Sequence, residues 1–179
     1  MASLQPLLMS DKRYDEISAR VRKSYPNACI LYIDEIINPA LKEAYEFQKA
    51  ELQRIRGPDK IKELSLFHGT SEKCALSIAT SGYDVSKNRV AAFGLGTYFA
   101  PDAATSLGYV KDNEKKESFM LSNLVLIGSI GMYGSNQEII TDVHDNSVNN
   151  MMHPTIFVTP YNHGALPQYL IAFHKYARA

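Results

Sequence analysis

Tryptophan is absent from the 179 residues and cysteine is nearly so, with only Cys29 and Cys74 present. The two lie far apart and neither belongs to a C-x-x-C pair. That excludes a disulfide scaffold or structural zinc site and matches the cysteine usage of a reducing interior, so an intracellular location is expected. Charge of one sign is lacking as well: Lys and Arg number 19 and Asp and Glu number 19, for a formal net charge of zero. No overall field then recruits duplex nucleic acid or anionic lipid by counterion release. Long hydrophobic runs are missing. The densest, Leu124 to Ile130 with Met132 beyond it, falls far short of the ~18 residues a membrane span needs. Met1 to Ser10 has neither the basic start nor the apolar run of a signal peptide. No unit of about 20–50 residues repeats, and no low-complexity linker divides the chain. What is present is 45% apolar residues, enough for one core that buries roughly 70% of the unfolded surface. One domain over 1–179 is expected, monomeric and away from membranes, with 1–10 a flexible N-terminus.

Periodicity sets out the elements. Tyr14, Ile17, Val21 and Tyr25 share a helical face that Pro26-Asn27 ends, predicting a helix over 11–24, and a strand follows near 28–36. Asn38-Pro39 pairs a cap with a first-turn proline, and the stripe Leu41, Tyr45, Leu52, Ile55 runs on until Gly57-Pro58. Leu64 to Phe67 alternate as a strand ending at Gly69. Ser71 caps a helix reaching Thr80, which Gly82 closes in a left-handed conformation. A loop is expected over 83–95, a β-rich segment from Thr97 to Ala100, and a short helix from Pro101-Asp102 through Val110. Charge-dense Lys111 to Glu117 reads as a solvated connection. Strands near 118–131, 154–159 and 168–175 complete the chain, with a polar stretch over 141–153. Helices come first and strands later, so the class is α+β rather than a doubly wound parallel sheet.

Several chemistries lose support. Gly94-Leu95-Gly96-Thr97-Tyr98-Phe99 begins like a dinucleotide fingerprint, but Phe99 occupies the third glycine position and the segment enters a strand instead of opening a helix. There is no phosphate loop of the G-x-x-x-x-G-K type, no G-x-S-x-G elbow and no H-E-x-x-H. Asp142, His144, Asp145 and His153 match no known ligand spacing and read as solvated loop residues, so no metal is assigned. His163 and His174 stay unassigned. The informative pair is Phe67-His68-Gly69-Thr70 at one strand end and Phe93 to Ala100 entering another. Neighbouring strands bearing them would gather an imidazole, an aromatic ring and a bare backbone segment around one cleft. Gly69 would let a ligand use both its N–H and its C=O, matching a planar carboxamide. Ser106 and Tyr109, three residues apart, share a helix face and add a hydroxyl and an aromatic platform.

With these motifs in this order, the chain resembles the catalytic domain of the poly(ADP-ribose) polymerase family, the diphtheria-toxin-like ADP-ribosyltransferases, and within it the mono-ADP-ribosylating branch. The resemblance runs from about residue 11 to 174. It includes the entry segment Ile33 to Pro39 and the closing segment Ala165 to Ile171. It implies two packed, mainly antiparallel sheets with peripheral helices, and NAD+ as co-substrate without a metal. It implies that His68 bonds the 2′-hydroxyl of the adenosine ribose and that the Gly69 backbone pairs with the nicotinamide carboxamide. Tyr98 would pack against the nicotinamide ribose, Ser106 bond the carboxamide oxygen and Tyr109 stack on the nicotinamide ring, with residues 83–93 as the donor-covering loop. Where relatives place an arginine for the diphosphate, Val85 follows Gly82-Tyr83-Asp84, leaving Lys87 or Arg89 for that contact. Leu95 stands where relatives frequently have lysine.

The third catalytic position, after His68 and Tyr98, falls on Ile156, where polymerising relatives carry glutamate. An aliphatic side chain has no lone pairs to orient ribose hydroxyls or activate a growing chain. The resemblance therefore implies mono-ADP-ribosylation of an acceptor protein, the chain itself included among candidates. Two alternatives stand beside it: an NAD+- or ADP-ribose-binding pseudoenzyme, and transfer to nucleic-acid ends, nucleic acid serving only as acceptor.

Overall fold

A computed structural model describes residues 1–88 and 91–176; Arg89, expected near the diphosphate, lies outside the described residues. Two strands apolar on both faces decide the layering. In β5 (Ser118–Ile127) and β9 (Ala165–His174) successive side chains point to opposite faces, and both sets are buried. Leu121, Leu170 and Ala172 enter one cluster, while Met120, Ile171 and Phe173 enter another. These strands form the centre of a five-stranded sheet with β1 (Ser3–Pro6), β2 (Cys29–Ile37) and β3 (Lys62–Thr70), ordered β1-β2-β9-β5-β3 and antiparallel throughout.

Against one face packs α1 (Lys12–Ser24) through Tyr14, Ile17 and Val21, joined by Ala103 of the short α4 (Ala103–Ser106). Against the other lie Ala75 and Ala79 of α3 (Glu72–Ser81) and a second, four-stranded sheet. That sheet runs β4 (Thr97–Phe99), β8 (Phe157–Thr159), β7 (Asn146–Val148), β6 (Ile130–Gly131), with only β6 and β7 parallel. The expected architecture of two mainly antiparallel sheets with peripheral helices is what forms.

α2 (Pro39–Arg56) begins and ends as its sequence signals. The Asn38 side-chain oxygen accepts from Leu41 N–H at 3.3 Å, and its amide nitrogen donates to the carbonyls of Ala79 and Thr80 at 3.1 and 2.9 Å. One side chain thus caps the start of α2 and satisfies the orphan carbonyls ending α3. Gly82 terminates α3 at φ 80° as expected. At the far end of α2, Arg56 reaches the buried Asp145 carboxylate at 3.1 Å and the carbonyls of Thr141 and Asp142. Asp145 also accepts from Ser129 N–H at 2.8 Å.

The departures share one cause, long-range pairing. Residues 1–10, expected to be flexible, contain β1, whose backbone pairs with Asp34 to Ile37 at the sheet edge. The strand expected over 118–131 breaks after Ile127, because Ile130-Gly131 crosses to the second sheet. The polar stretch 141–153 holds β7, all three residues of it buried. Asparagine and serine obscure that strand, yet Asn146 donates to the Leu126 carbonyl and accepts from Gly128 N–H. Ile156 precedes β8 rather than lying within it, and the helix expected to reach Val110 ends at Ser106, followed by a 3-10 turn over Leu107–Tyr109.

Candidate active site

The two informative motifs meet where the sheets touch. Phe67 N–H donates to the Ala100 carbonyl at 2.7 Å and Ala100 N–H donates back to the Phe67 carbonyl at 2.9 Å, so β3 and β4 adjoin although they belong to different sheets. His68 then sets its Nδ1 2.8 Å from the Tyr98 carbonyl. A carbonyl can only accept, so Nδ1 carries the proton and Nε2 of the neutral ring is an acceptor. Burial pushes this imidazole below the ordinary histidine range, and the Tyr98 carbonyl only partly opposes it. The residue is half-buried by accessible surface, with the Tyr83 and Phe99 rings packed together against its imidazole.

Gly69 is held bare by packing. A Cβ there would overlap the Ser106 carbonyl oxygen and meet Val110 at 2.8 Å, so only glycine lets the α4 turn close onto β3. This closure sets Ser106 and Tyr109 beside Gly69. The Ser106 hydroxyl is buried and donates to the Phe67 carbonyl at 3.3 Å, while the Tyr109 ring is 40% exposed. Tyr98 contributes its ring as a wall. Its hydroxyl is already committed to the glycine loop, accepting from Phe93 N–H at 2.9 Å and donating to the Gly94 carbonyl at 2.7 Å. Desolvation raises the Tyr98 phenol, which stays protonated.

Gly69, Tyr98, Ser106, Tyr109 and Ile156 line one narrow inner pocket. It opens beside a cleft of about 360 Å³ shared by His68, Gly69, Tyr98 and Tyr109. All six described residues expected at the site therefore converge. Ile156 is held by Asn149, whose side-chain oxygen accepts from Ile156 N–H at 3.0 Å. It packs against the buried cluster of Tyr98, Ile139 and Val158. No ionisable carboxylate, imidazole or cation lines the inner pocket among the described residues.

The outer cleft carries cations. Lys87 lines it as expected, but its ammonium lies 3.3 Å from the Asp84 carboxylate. Lys111 lines it too, although the sequence reads it as a solvated connection. A lone bridge to Ser71 draws it in, and nothing local signals such a contact. Thr105, which lines the inner pocket, carries no motif signal, and Tyr83, named only within the Gly82-Tyr83-Asp84 segment and the donor-covering loop, lines the outer cleft. A larger concavity of about 540 Å³, between the start of α2 and the β2–β9 junction, holds none of the expected residues.

The metal candidates disperse. Asp145 is engaged with Arg56, and His144 Nδ1 lies 2.8 Å from the Tyr133 hydroxyl. No three His, Cys, Asp or Glu side chains converge among the described residues. No helix among them is long and apolar enough to cross a membrane.

Comparison with known proteins agrees with this geometry. The model of the poly(ADP-ribose) polymerase catalytic domain matches residues 12–149. "Protein mono-ADP-ribosyltransferase PARP12" of Mus musculus is 31% identical over 177 residues, covering 93% of this chain and 25% of its own length. "Protein mono-ADP-ribosyltransferase PARP14" of Homo sapiens is 31% identical over 94% of this chain but 10% of its own length. "Protein mono-ADP-ribosyltransferase PARP11" of Homo sapiens is 30% identical over 96% and 59% respectively. The chain thus spans between a tenth and three-fifths of these relatives. With the family model covering most of its length and the six described site residues lining two adjoining pockets, the chain belongs to the poly(ADP-ribose) polymerase catalytic domain family.

Proposed function

We propose that this chain is an intracellular mono-ADP-ribosyltransferase that moves ADP-ribose from NAD+ to an acceptor, foremost a protein side chain, and releases nicotinamide. The observation that carries the reading is the continuity of the inner pocket with the outer cleft, Gly69, Tyr98 and Tyr109 lining both. A dinucleotide can lie along it with the pyridine amide inside and the adenosine ribose at His68. The relatives' names support the same activity.

In this reading the Gly69 backbone and the Ser106 hydroxyl receive the carboxamide, and the Tyr109 ring stacks on the pyridinium. Tyr98 confines the nicotinamide ribose. Nε2 of His68, a lone-pair acceptor, takes the hydrogen of the adenosine 2′-hydroxyl. Holding both ends strains the donor towards loss of its glycosidic bond. That bond breaks with its electron pair going to the pyridine nitrogen, so nicotinamide leaves neutral and needs no general acid. The acceptor oxygen attacks C1″ from the opposite face with inversion. An acceptor carboxylate would bring its own negative charge to the oxocarbenium-like transition state, which Ile156 cannot do. Without a carboxylate at Ile156, ribose hydroxyls of a first unit are not activated, and one unit per acceptor is the product.

The test is incubation of the purified protein with labelled NAD+, followed by mass spectrometry of itself and of offered acceptors. Single ADP-ribose units with equimolar nicotinamide release are expected, lost in His68→Ala and Tyr98→Ala. Absence of both products, with ADP-ribose binding retained, would instead identify a binding module. Label appearing only on nucleic-acid ends would move the acceptor class.

A further inference from the structure

One buried aromatic group borders the cleft without a part in the chemistry above. Tyr83, buried and placed directly after the Gly82 helix stop, sets its ring edge-on to the His68 imidazole, with centroids 5.3 Å apart and planes at 86°. Phe99 closes the set at 5.5 Å from His68 and 5.3 Å from Tyr83. The Tyr83 hydroxyl donates to the Asn123 side-chain oxygen at 2.6 Å. Asn123, wholly buried on β5, spends its amide hydrogens on the carbonyls of Leu66 and Leu121 at 3.2 and 3.1 Å. The side-chain polar atoms of Tyr83 and Asn123 are thus all partnered, which fixes the orientation of both.

His68 has a polar restraint at one atom only. Nδ1 is tied to the Tyr98 carbonyl, which leaves rotation of the ring about that bond to be limited by packing. Tyr83 and Phe99, in contact with each other as well as with the imidazole, supply that limit together as one three-ring cluster, and Tyr83 is itself anchored on β5 through Asn123. We propose that Tyr83 is a positioning residue for His68: anchored on Asn123, its ring fixes the imidazole plane and thereby aims Nε2 for the adenosine-side hydroxyl of the donor. Because Tyr83 touches His68 and not the inner pocket, its influence falls on the ADP-ribose half of the donor and spares the carboxamide half.

The inference rests on the donor-site reading for its ligands, and the experiment separates the two. Tyr83→Phe removes the anchor and keeps the ring, whereas Tyr83→Ala removes both. Each folded variant is titrated with ADP-ribose and, separately, with nicotinamide, and the His68 imidazole nitrogens are followed by NMR. The expected result is ADP-ribose weakened by about threefold in Tyr83→Phe and about tenfold or more in Tyr83→Ala, with nicotinamide affinity unchanged. KM for NAD+ should rise by similar factors, and the His68 signals should broaden or shift from the single Nδ1–H form. Unchanged ADP-ribose affinity in folded Tyr83→Phe and Tyr83→Ala overturns the proposal, as does an equal loss for both ligands. If Tyr83→Ala does not fold, unchanged ADP-ribose affinity in Tyr83→Phe is sufficient to overturn it. If the wild type binds neither ligand, the donor-site reading fails instead, and unaltered His68 signals in Tyr83→Phe would then reject the positioning role by themselves.

Discussion

At the scale of single residues, burial decides the protonation of two groups in the site, His68 and Tyr98. His68 is the sharpest case. Its pKa is lowered by burial below the ordinary value of 6.5, so the unfolded chain binds a proton at this residue at higher pH than the folded one. The stability it contributes is therefore complete above the unfolded value and is lost as pH falls through it towards the folded one. Denaturant titrations of wild type and His68→Gln between about pH 7.5 and pH 5.5 should show the wild type losing more on acidification. ADP-ribose affinity should hold through the ordinary histidine range and weaken only as pH falls through the lowered value of the folded protein, because protonated Nε2 can no longer accept. Ile156 gives the opposite sign. Glu in its place would set a carboxylate against the buried cluster of Tyr98, Ile139 and Val158. Desolvation raises such a group, so Ile156→Glu should lose about 1–3 kcal/mol at neutral pH and recover part of it near pH 5, as denaturation at the two pH values would read.

At the scale of elements, caps and glycines carry the argument further than apolar stripes do. Asn38 was legible as the start of α2 because its side chain serves the backbone immediately after it. Its second role, bonding the Ala79 and Thr80 carbonyls, was not, since those partners lie on another helix. Two substitutions separate the roles. Asn38→Asp keeps the acceptor and loses the donor, and Asn38→Ala loses both, so thermal or chemical denaturation should rank them wild type, Asp, Ala, with about 1–2 kcal/mol lost in the last. Short strands defeat this style of reading. β7 is Asn-Ser-Val, two turn-favouring residues before a single valine, and it becomes a strand because β6 and β8 pair with it on either side.

At the scale of the whole molecule, one ion pair ties the end of α2 to the connection between β6 and β7. Asp145 is 1% exposed and Arg56 is its charge partner. Arg56→Met would strand that carboxylate with only the Ser129 N–H and a long contact to the Tyr161 hydroxyl. A loss of about 3–5 kcal/mol is expected, measured by chemical denaturation. The sequence reads Asp145 as a solvated loop residue, whereas the fold buries it against Arg56. The site shows the same division. Gly69 was expected to admit a ligand to the main chain, and the fold adds a second reason for its bareness, the carbonyl of Ser106 pressed against it.

Motif order and local chemistry were enough to determine the helices with strong caps and the α+β class, and to pick out six described residues that line two adjoining pockets, because those signals are residue types at fixed places along strands and turns. The tertiary structure alone decided that β3 and β4 meet across two sheets, that the first residues form an edge strand, and that Lys111, Asp145 and Tyr83 have partners far away in the chain. Those outcomes depend on hydrogen bonds and burial between segments tens of residues apart, and no local pattern encodes which distant backbone will arrive to complete them.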